Sequence, residues 1–355
     1  MNAVDTRAAA AAGHEQLLVR RGRRSGATVV VAIHSTVLGP ALGGARMWAY
    51  DNQELAVEDA LRLAHGMTHK AAAAGLELGG GKGVICSPSS AASRDPARRR
   101  EMLLDFADLV ESLGGRYVTA EDVGTGPDDM VVVAERTRHV TGLPPELGGS
   151  GDPSPFTAIG VAASIRACAA HRFGSRDLHG LHAVVIGLGH VGSRLATLLA
   201  EAGARLTVAD VDEGRRRFAA SLGARWVEPA EAPATRCDVL APCALGGALD
   251  EVTVGGLDAA IVCGAANNQL ADAALAEPLA DAGVLYAPDF IANAGGLINV
   301  YREYRGLDEA WARQRALGIE ATMARILRTA DELEITPQAA ALEVARERLA
   351  RALRD

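Results

Sequence analysis

Residues 183–192 read AVVIGLGHVG, and this stretch decides the fold of the chain. Four apolar residues with strand character run directly into a complete G-x-G-x-x-G pattern. Apolar residues then recur at helical spacing up to Gly203, and a second strand-like run at residues 205–209 ends in Asp210. This succession of strand, glycine turn, helix, strand and acidic residue predicts a dinucleotide-binding βαβ unit.

The glycines of the pattern serve different purposes in such a unit. Gly187 permits the tight turn, Gly189 lets the backbone reach a pyrophosphate at the helix N-terminus, and Gly192 lets helix and strand pack closely. The intervening His190 and Val191 complete the predicted phosphate-binding turn. A βαβ unit with an empty crevice would carry the same pattern, so that structural alternative stays open.

The acidic residue bears on the choice of cofactor. Asp210 stands eighteen residues after Gly192, where a carboxylate can accept both ribose hydroxyls of the adenosine half and repels a 2′-phosphate. Arg215, Arg216 and Arg217 would screen a phosphate if they faced it, but the solvated face of the next helix is the favoured interpretation. NAD is therefore the predicted cofactor.

Three more strand-like runs follow, at residues 238–241, 260–263 and 284–287, and each ends in a loop of polar or small residues. Ligands of open α/β sheets bind outside the carboxyl ends of the strands. The predicted cofactor contacts in these loops are Cys243, Ala244, Ala265, Asn267 and Asn293. The two asparagines also lie where a nicotinamide carboxamide and a substrate would meet, although each taken alone is a common turn residue.

A lysine surrounded by glycines is the main feature of the first half of the chain. Lys82 lies within residues 79–83, GGGKG, where glycine neighbours let substrate and backbone approach its amine and exclude water. Exclusion of water lowers an ammonium pKa from about 10.4, so this lysine can act as a base near neutral pH. A P-loop is rejected, because Leu76 and Gly83 stand where that motif needs glycine and a hydroxyl residue.

Two other residues complete this constellation. Lys70 precedes Lys82 by twelve positions and, if it stays charged, can hold a substrate carboxylate. Asp122, in the segment 119–125, can shuttle the proton that Lys82 releases. A solvated lysine at a helix end is the other interpretation of Lys70.

Length and composition exclude several classes of protein. The chain has 355 residues, 49% of them hydrophobic and 23% charged, which suits a soluble globular protein with two cores. The apolar start, residues 8–12, is too short for a signal peptide and no run approaches a membrane span, so we expect a cytoplasmic protein without a membrane partner. A net charge of −8 disfavours nucleic acid, and the spacing of five cysteines predicts neither disulfides nor a metal site.

These patterns predict an α/β protein of two domains. Residues 1–142 form an N-terminal α/β substrate and catalytic domain, and residues 143–330 form a doubly wound Rossmann-type domain. The segment 143–155 is rich in Gly, Pro and Ser and is the predicted hinge. Residues 331–355 are predicted to be a C-terminal helix that returns to the first domain. The apolar positions expected to pack in the last helices are Ala321, Ile326 and Leu333.

The two halves together resemble the amino acid dehydrogenase family that includes the glutamate, leucine, valine and phenylalanine enzymes, and most closely its leucine and valine branch. The resemblance covers nearly the whole length. Its motifs are residues 38–48 (LGPALGGARMW), Lys70, residues 79–82 (GGGK), residues 121–125 (EDVGT), Asn267-Asn268 and residues 293–296 (NAGG). It implies a homo-oligomer and a cleft between the domains that closes during the reaction.

The resemblance also implies the reaction, which is reversible oxidative deamination of an L-amino acid to a 2-oxo acid and ammonia, with NAD as hydride acceptor. Lys82 would be the base and Asp122 its proton partner. The α-carboxylate would be bound by Lys70 and by the backbone near Gly44, including Gly43. Asn267 and Asn293 would position the amino acid and the nicotinamide.

Side-chain specificity is expected to be apolar and narrow. Leu42 and Val300 stand where glutamate-specific relatives have a lysine and a serine, so a γ-carboxylate would be buried unpaired. Ala120 and Leu297 are larger than the residues of phenylalanine-type and leucine-type relatives, respectively, which favours leucine, valine or isoleucine. The alternatives are a phenylalanine dehydrogenase, a glutamate dehydrogenase and a non-catalytic NAD-binding protein on the same fold.

Overall fold

The computed structural model describes residues 13–354, which form two compact units. The first unit comprises the described parts of Met1–Gly151, Val300–Gly306 and Ala345–Asp355, and the second comprises Asp152–Asn299 and Leu307–Val344. The first unit therefore gives way to the second inside the glycine-rich segment 143–155. The domain limits at residues 142 and 330 stay predictions. They do not set apart the described parts of Val300–Gly306 and Ala345–Asp355, which belong to the first unit.

The sheet of the first unit is mixed, with the strand order β1-β2-β4-β3-β5. Its strands are β1 Gln16–Arg21, β2 Thr28–Ser35, β3 Ala41–Trp48, β4 Gly79–Cys86 and β5 Tyr117–Glu121. β1 and β2 form an antiparallel hairpin and β2 is antiparallel to β4, whereas β3 runs parallel to both β4 and β5. The carboxyl ends of the three parallel strands therefore meet at one edge of the sheet.

Helices cover both faces of this sheet. Gln53–Ala73 begins after Asn52, whose side chain accepts a hydrogen bond from the Leu55 amide, and its buried alanines pack on the face that carries Val30, Ala32 and Val84. Pro96–Glu111 contributes Phe106 and other apolar residues to a second core on the opposite face. The remaining helices of the unit are Ser90–Arg94, Pro127–Ala134 and parts of Gly295–Arg305 and Pro337–Ala352.

Glycines in β4 make room for aromatic rings on the second core. A Cβ atom at Gly81 would lie 2.7 Å from Cδ2 of Tyr117, and one at Gly83 would lie 2.5 Å from Cζ of Phe106. Lys82 lies between these two glycines and points to the other face, because side chains alternate along a strand. The prediction that glycine neighbours open space for substrate beside Lys82 is therefore wrong at these two positions, where protein rings fill the space.

The sheet of the second unit has six parallel strands in the order β11-β10-β9-β6-β7-β8. Its strands are β6 His182–Ile186, β7 Arg205–Ala209, β8 Arg225–Trp226, β9 Cys237–Pro242, β10 Ala259–Val262 and β11 Leu285–Tyr286. β6 lies inside the sheet, with β7 and β8 following it on one side and β9, β10 and β11 on the other. This arrangement is that of a Rossmann-type sheet, and the predicted two-domain α/β fold class is confirmed.

The helices of the second unit are Ser154–Phe173, His190–Glu201, Arg216–Ser221, Glu251–Gly255, Ala276–Asp281, Asp289–Ala292, Glu309–Leu317, Ile319–Leu333 and parts of Gly295–Arg305 and Pro337–Ala352. In Ile319–Leu333 the expected burial of Ile326 is confirmed, but the expectation was wrong for Ala321 and Leu333, which are exposed. The buried positions follow the helical period of three to four residues, and Leu333 is the last residue before a left-handed Glu334. Within residues 13–354 no helix is long and apolar enough to span a bilayer.

We expect Gly83→Ala to destabilise the first unit, because the added methyl group would overlap the buried ring of Phe106 and the hydroxyl of Tyr117. Overpacking of this kind costs about 1–3 kcal/mol. Gly66→Ala is the matched control, since no described atom lies within 4 Å of a Cβ there and Gly66 lies in the helix Gln53–Ala73. It should stabilise the protein by about 1 kcal/mol. Urea unfolding of both variants measures the difference, and equal midpoints would contradict the packing role of Gly83.

Candidate active site

Lys82 and Asp122 are in direct contact in the first unit. The Lys82 Nζ lies 2.8 Å from the Asp122 Oδ2, and the lysine side chain is only 6% exposed. Asp122 follows the last residue of β5, and β4 brings Lys82 to the middle of the sheet. The register pairs Leu42 with Gly80 and Gly44 with Ala120, so all four lie on the face of the sheet that carries Lys82.

Gly43 lies on the opposite face, so only its backbone can serve the predicted carboxylate site. Its carbonyl accepts a hydrogen bond from the buried Tyr117 hydroxyl at 2.5 Å. A Cβ atom at Gly43 would lie 1.7 Å from the carbonyl oxygen of Gly81. The hydrogen bond ties β3 to β5, and the missing side chain of Gly43 lets β3 lie close to β4.

Burial and charge act in opposite directions on the two partners. Burial lowers the pKa of the Lys82 ammonium below its ordinary value, and this effect outweighs the attraction of Asp122, which raises it. Burial would raise the pKa of Asp122, but the charges and hydrogen bonds of Lys82 and Arg46 prevail and lower it. The Lys82 ammonium therefore releases its proton more readily than an exposed lysine does, beside a carboxylate that stays ionised more readily than usual, and general-base chemistry needs both properties.

Three residues extend this contact into a network that the sequence did not single out. Arg46 donates from Nε to the same Asp122 oxygen at 3.0 Å and from Nη1 to Asp59 at 2.7 Å. The Tyr50 hydroxyl also donates to Asp59, at 2.7 Å. The sequence contains a signal for two of them. Arg46 follows Leu42 by an even number of residues in β3, so both side chains lie on one face of the sheet, and Asp59 lies in the helix that carries Lys70.

Lys70 lies half-buried in the last turn of the helix Gln53–Ala73. It follows Asp59 by eleven residues, which is about three helical turns, so both side chains lie on one side of this helix. That side packs against the sheet face of Lys82, since Ala56 and Ala60 share a core with Val84. The position fits a cation close to the base, and binding of a carboxylate by Lys70 stays a prediction.

The histidines near this helix pack together. His34 lies at the centre of a group of rings formed with His14, His65 and His69, and its centroid is 4.8 Å from that of His14 and 4.7 Å from that of His65. Burial lowers the pKa of His34 to about 4, so its ring is neutral at physiological pH. Among the described residues, no group of His, Cys, Asp or Glu is placed to hold a metal ion.

The glycine-rich turn of the second unit has the geometry of a dinucleotide site. Gly187 has a φ of 95°, which favours glycine, and a Cβ atom at Gly192 would lie 1.8 Å from the Gly187 carbonyl oxygen. Gly189 caps the helix His190–Glu201 without a side chain, and no described atom lies within 4 Å of a Cβ built there. The first amides of this helix thus have no side-chain partner at the cap position and open space beside them, which fits a pyrophosphate.

The acidic residue after β7 is fixed by this turn. The Asp210 carboxylate accepts hydrogen bonds from the Leu188 amide at 2.5 Å and from the Asp212 amide at 2.7 Å. Arg215 pairs with Asp212 at 3.6 Å and Arg216 pairs with Glu213 at 2.9 Å, and both arginines are exposed. These pairs support the interpretation of the arginines as a solvated face.

The predicted loop residues of the second unit lie in two groups. Cys243 and Ala244 lie beside the glycine turn, with the Ala244 amide nitrogen 2.9 Å from a Cβ built on Gly187. Burial raises the pKa of the Cys243 thiol to about 12, so it stays protonated and acts in packing. The buried Asn293 donates from its amide to the Asn267 Oδ1 at 2.8 Å and to the Ala265 carbonyl at 3.3 Å.

The last two predicted residues lie on the helix Gly295–Arg305. Leu297 is 6% exposed and belongs to the second unit, whereas Val300 is half-buried and belongs to the first. Gly295 lets this helix pack closely, because a Cβ atom there would lie 2.0 Å from the carbonyl oxygen of Phe156. The NAGG motif therefore has a packing role, whereas contact of Leu297 and Val300 with a substrate stays a prediction.

Comparisons with known proteins agree with this geometry. Residues 15–139 match the dimerisation domain of the Glu/Leu/Phe/Val dehydrogenases, and residues 206–355 match the glutamate, leucine, phenylalanine and valine dehydrogenase family. The chain belongs to this family. The leucine dehydrogenase of Bacillus subtilis is 43% identical over 345 residues, which are 96% of this chain and 93% of that protein.

Two further relatives show the breadth of the family. The valine dehydrogenase of Streptomyces virginiae is 46% identical over 341 residues, which cover 95% of this chain and 94% of that protein. The crystal structure of L-tryptophan dehydrogenase from Nostoc punctiforme has a TM-score of 0.88 at 38% identity, with 98% of this chain and 99% of that chain covered. The protein is thus an NAD(P)-dependent amino acid dehydrogenase, an oxidoreductase that acts on a CH–NH₂ group.

Proposed function

We propose that this dehydrogenase catalyses the NAD-dependent, reversible oxidative deamination of leucine, valine or isoleucine to the 2-oxo acid and ammonia. The observation that carries the proposal is the buried contact between Lys82 and Asp122 on the sheet face that also holds Leu42. A base, its proton partner and an apolar neighbour are the groups this reaction needs. The identities to leucine and valine dehydrogenases support the same substrate class.

We assign the nucleotide to the second unit. The pyrophosphate would be held by the helix amides after Gly189, and the adenosine ribose would donate to Asp210. Asn267, whose side-chain oxygen is held by Asn293, would bind the nicotinamide carboxamide. When it is bound, the nicotinamide ring accepts the hydride that leaves the amino acid Cα.

The residues of the first unit then carry the proton transfers. Loss of hydride leaves the substrate as an iminium ion, whose carboxylate Lys70 holds. The neutral Lys82 amine takes a proton from water while the water oxygen bonds to the iminium carbon. Asp122 stabilises the resulting ammonium. The proton then passes from Lys82 to the nitrogen of the carbinolamine. As the C–N bond breaks, Lys82, again neutral, takes the proton of the carbinolamine hydroxyl, and ammonia and the 2-oxo acid leave.

The side chain of the substrate is assigned to the apolar part of the same face. Leu42 is 2% exposed, and Ala120, on the neighbouring strand, is 6% exposed. A glutamate γ-carboxylate beside Leu42 would lose its water without gaining a cation, at a cost of several kcal/mol. The likeness to L-tryptophan dehydrogenase favours an aromatic amino acid as the second candidate substrate.

We also propose that the enzyme is a cytoplasmic homo-oligomer. The match of residues 15–139 to a dimerisation domain supports the assembly. The absence of a long apolar run in the sequence supports a cytoplasmic location.

We expect kcat/KM for leucine, valine or isoleucine to exceed that for glutamate by at least about tenfold, because one unpaired buried charge costs more than about 1.4 kcal/mol. NADH formation with each of the twenty L-amino acids measures it. Leu42→Lys is the matched variant and should raise the relative rate with glutamate. Comparable rates for glutamate in the unchanged enzyme would contradict the apolar site, and a maximum with tryptophan would establish the second candidate.

We expect kcat/KM for NAD to exceed that for NADP by at least about tenfold. Asp210 would repel a 2′-phosphate, and a repulsion of about 1.4 kcal/mol is enough to lower kcat/KM tenfold. Initial rates with each cofactor at saturating amino acid measure the ratio. Arg215→Gln and Arg217→Gln are the controls and should leave the NADP rate unchanged. Equal efficiency with both cofactors, together with loss of the NADP rate in either control, would show that the arginines reach the phosphate.

We expect Lys82→Met to lower kcat by about 10²–10⁴-fold, the usual contribution of a general base, while NAD still binds. Methionine keeps the length of the side chain and removes the charge, so the fold is preserved. Lys70→Ala should instead chiefly raise KM for the amino acid, because it holds the carboxylate in ground and transition states alike. Near-normal turnover of Lys82→Met, or equal losses of NAD affinity and turnover, would refute this division of roles.

A further inference from the structure

The carboxylate beside Lys82 is held from a second side. A single oxygen of Asp122 receives both the Lys82 Nζ, at 2.8 Å, and the Arg46 Nε, at 3.0 Å. A rotation of Asp122 about its Cα–Cβ bond would break both contacts at once. Arg46 therefore restricts the rotamer in which Asp122 meets the amine, and its planar guanidinium does so with a fixed geometry.

Arg46 is itself held by a carboxylate with two other partners. Its Nη1 lies 2.7 Å from the Asp59 Oδ2, which also accepts from the Tyr50 hydroxyl at 2.7 Å. The other oxygen of Asp59 accepts from Arg62 Nη2 at 2.7 Å. The side chains of Arg46 and Asp59 are 22% and 15% exposed, so this pair is much less screened by water than a surface ion pair.

The charges of this network act on Lys82 in both directions. Two guanidinium groups, of Arg46 and Arg62, face the two carboxylates of Asp59 and Asp122. The contact with Asp122 raises the pKa of Lys82, and the charge of Arg46 lowers it by less. The position of the Asp122 carboxylate therefore controls how strongly the network holds a proton on the amine.

We propose that Arg46 is a positioning residue for the reaction proposed above, on which this inference rests: Arg46 holds Asp122 against the Lys82 amine, and Asp59 holds Arg46. Arg46 acts through Asp122, and we assign it no contact with the substrate. The two groups act on Lys82 with opposite sign. The positive charge of Arg46 lowers the pKa of Lys82 and the negative charge of Asp59 raises it, both against the larger effect of burial, which lowers it.

The proposal is tested by the titration of Lys82 in the enzyme without substrate. Trace acetylation with acetic anhydride over a range of pH, followed by mass spectrometry of the peptide that contains Lys82, gives the midpoint at which the amine becomes reactive. Arg46→Met should move this midpoint down by about one pH unit, because the loosened contact with Asp122 raises the pKa more than the charge of Arg46 lowers it, and Asp59→Asn should also move it down. Arg62→Gln is the matched control, since Arg62 contacts Asp59 but is 62% exposed, and it should move the midpoint least.

Kinetics separate positioning from a merely structural role. Arg46→Met should lower kcat by at least about tenfold and leave KM for the amino acid within about threefold, because it acts on the base and not on the substrate. Arg46→Lys should restore only part of the midpoint shift and only part of kcat, since an ammonium restores the charge but cannot reproduce the guanidinium geometry. The kcat profile should shift with pH in the same direction as the acetylation midpoint.

Three outcomes would overturn the proposal. The first is a Lys82 midpoint unchanged in both Arg46→Met and Asp59→Asn, and the second is an upward shift in Arg46→Met, which would show that Arg46 acts on Lys82 by its charge and not through Asp122. The third is a loss of kcat that Arg46→Lys restores in full. If Arg46→Met does not fold, Asp59→Asn decides alone, because a downward shift supports the proposal and no shift refutes it. The acetylation does not depend on turnover, so an inactive wild-type enzyme would refute the proposed function without altering this result.

Discussion

One contact is central to this structure: the Lys82 amine is buried away from water, beside the Asp122 carboxylate. Burial makes the ammonium form of Lys82 unfavourable, whereas Asp122 makes it favourable, and the balance between the two effects sets the fraction of neutral amine. Neither effect alone would produce a useful base. A buried lysine without a carboxylate would have no proton partner, and an exposed ion pair would keep the ordinary pKa of lysine.

The sheet geometry around β4 makes this burial possible. Tyr117 and Phe106 fill the space that Gly81 and Gly83 leave on one face, so the strand lies on a dense core. Lys82 then leaves the strand on the other face, beneath the helix Gln53–Ala73. Gly81 and Gly83 thus shape the core on the far side of the strand, and the helix covers the side of the strand on which Lys82 lies.

The second unit uses backbone geometry in the same way. Gly192 brings the helix close to the turn, and the Leu188 amide holds the Asp210 carboxylate in place. The oxygen atoms of Asp210 are thus oriented before any ligand binds, which lowers the entropic cost of recognition. Asn267 is held in a comparable manner, through the hydrogen bond from the buried Asn293.

The sequence by itself determined the fold class and the glycine turn, because these depend on local periodicity and on residue types at short spacing. It singled out Lys82 and Asp122 as candidates by residue type, and the folded chain brings them into contact. The tertiary structure alone decided that Arg46 and Asp59 join them, that rings occupy the space beside Gly81, and that Leu333 is exposed. Contacts between a strand and a distant helix depend on register and packing, which no local pattern records. The charge balance around the base is therefore a property of the folded chain.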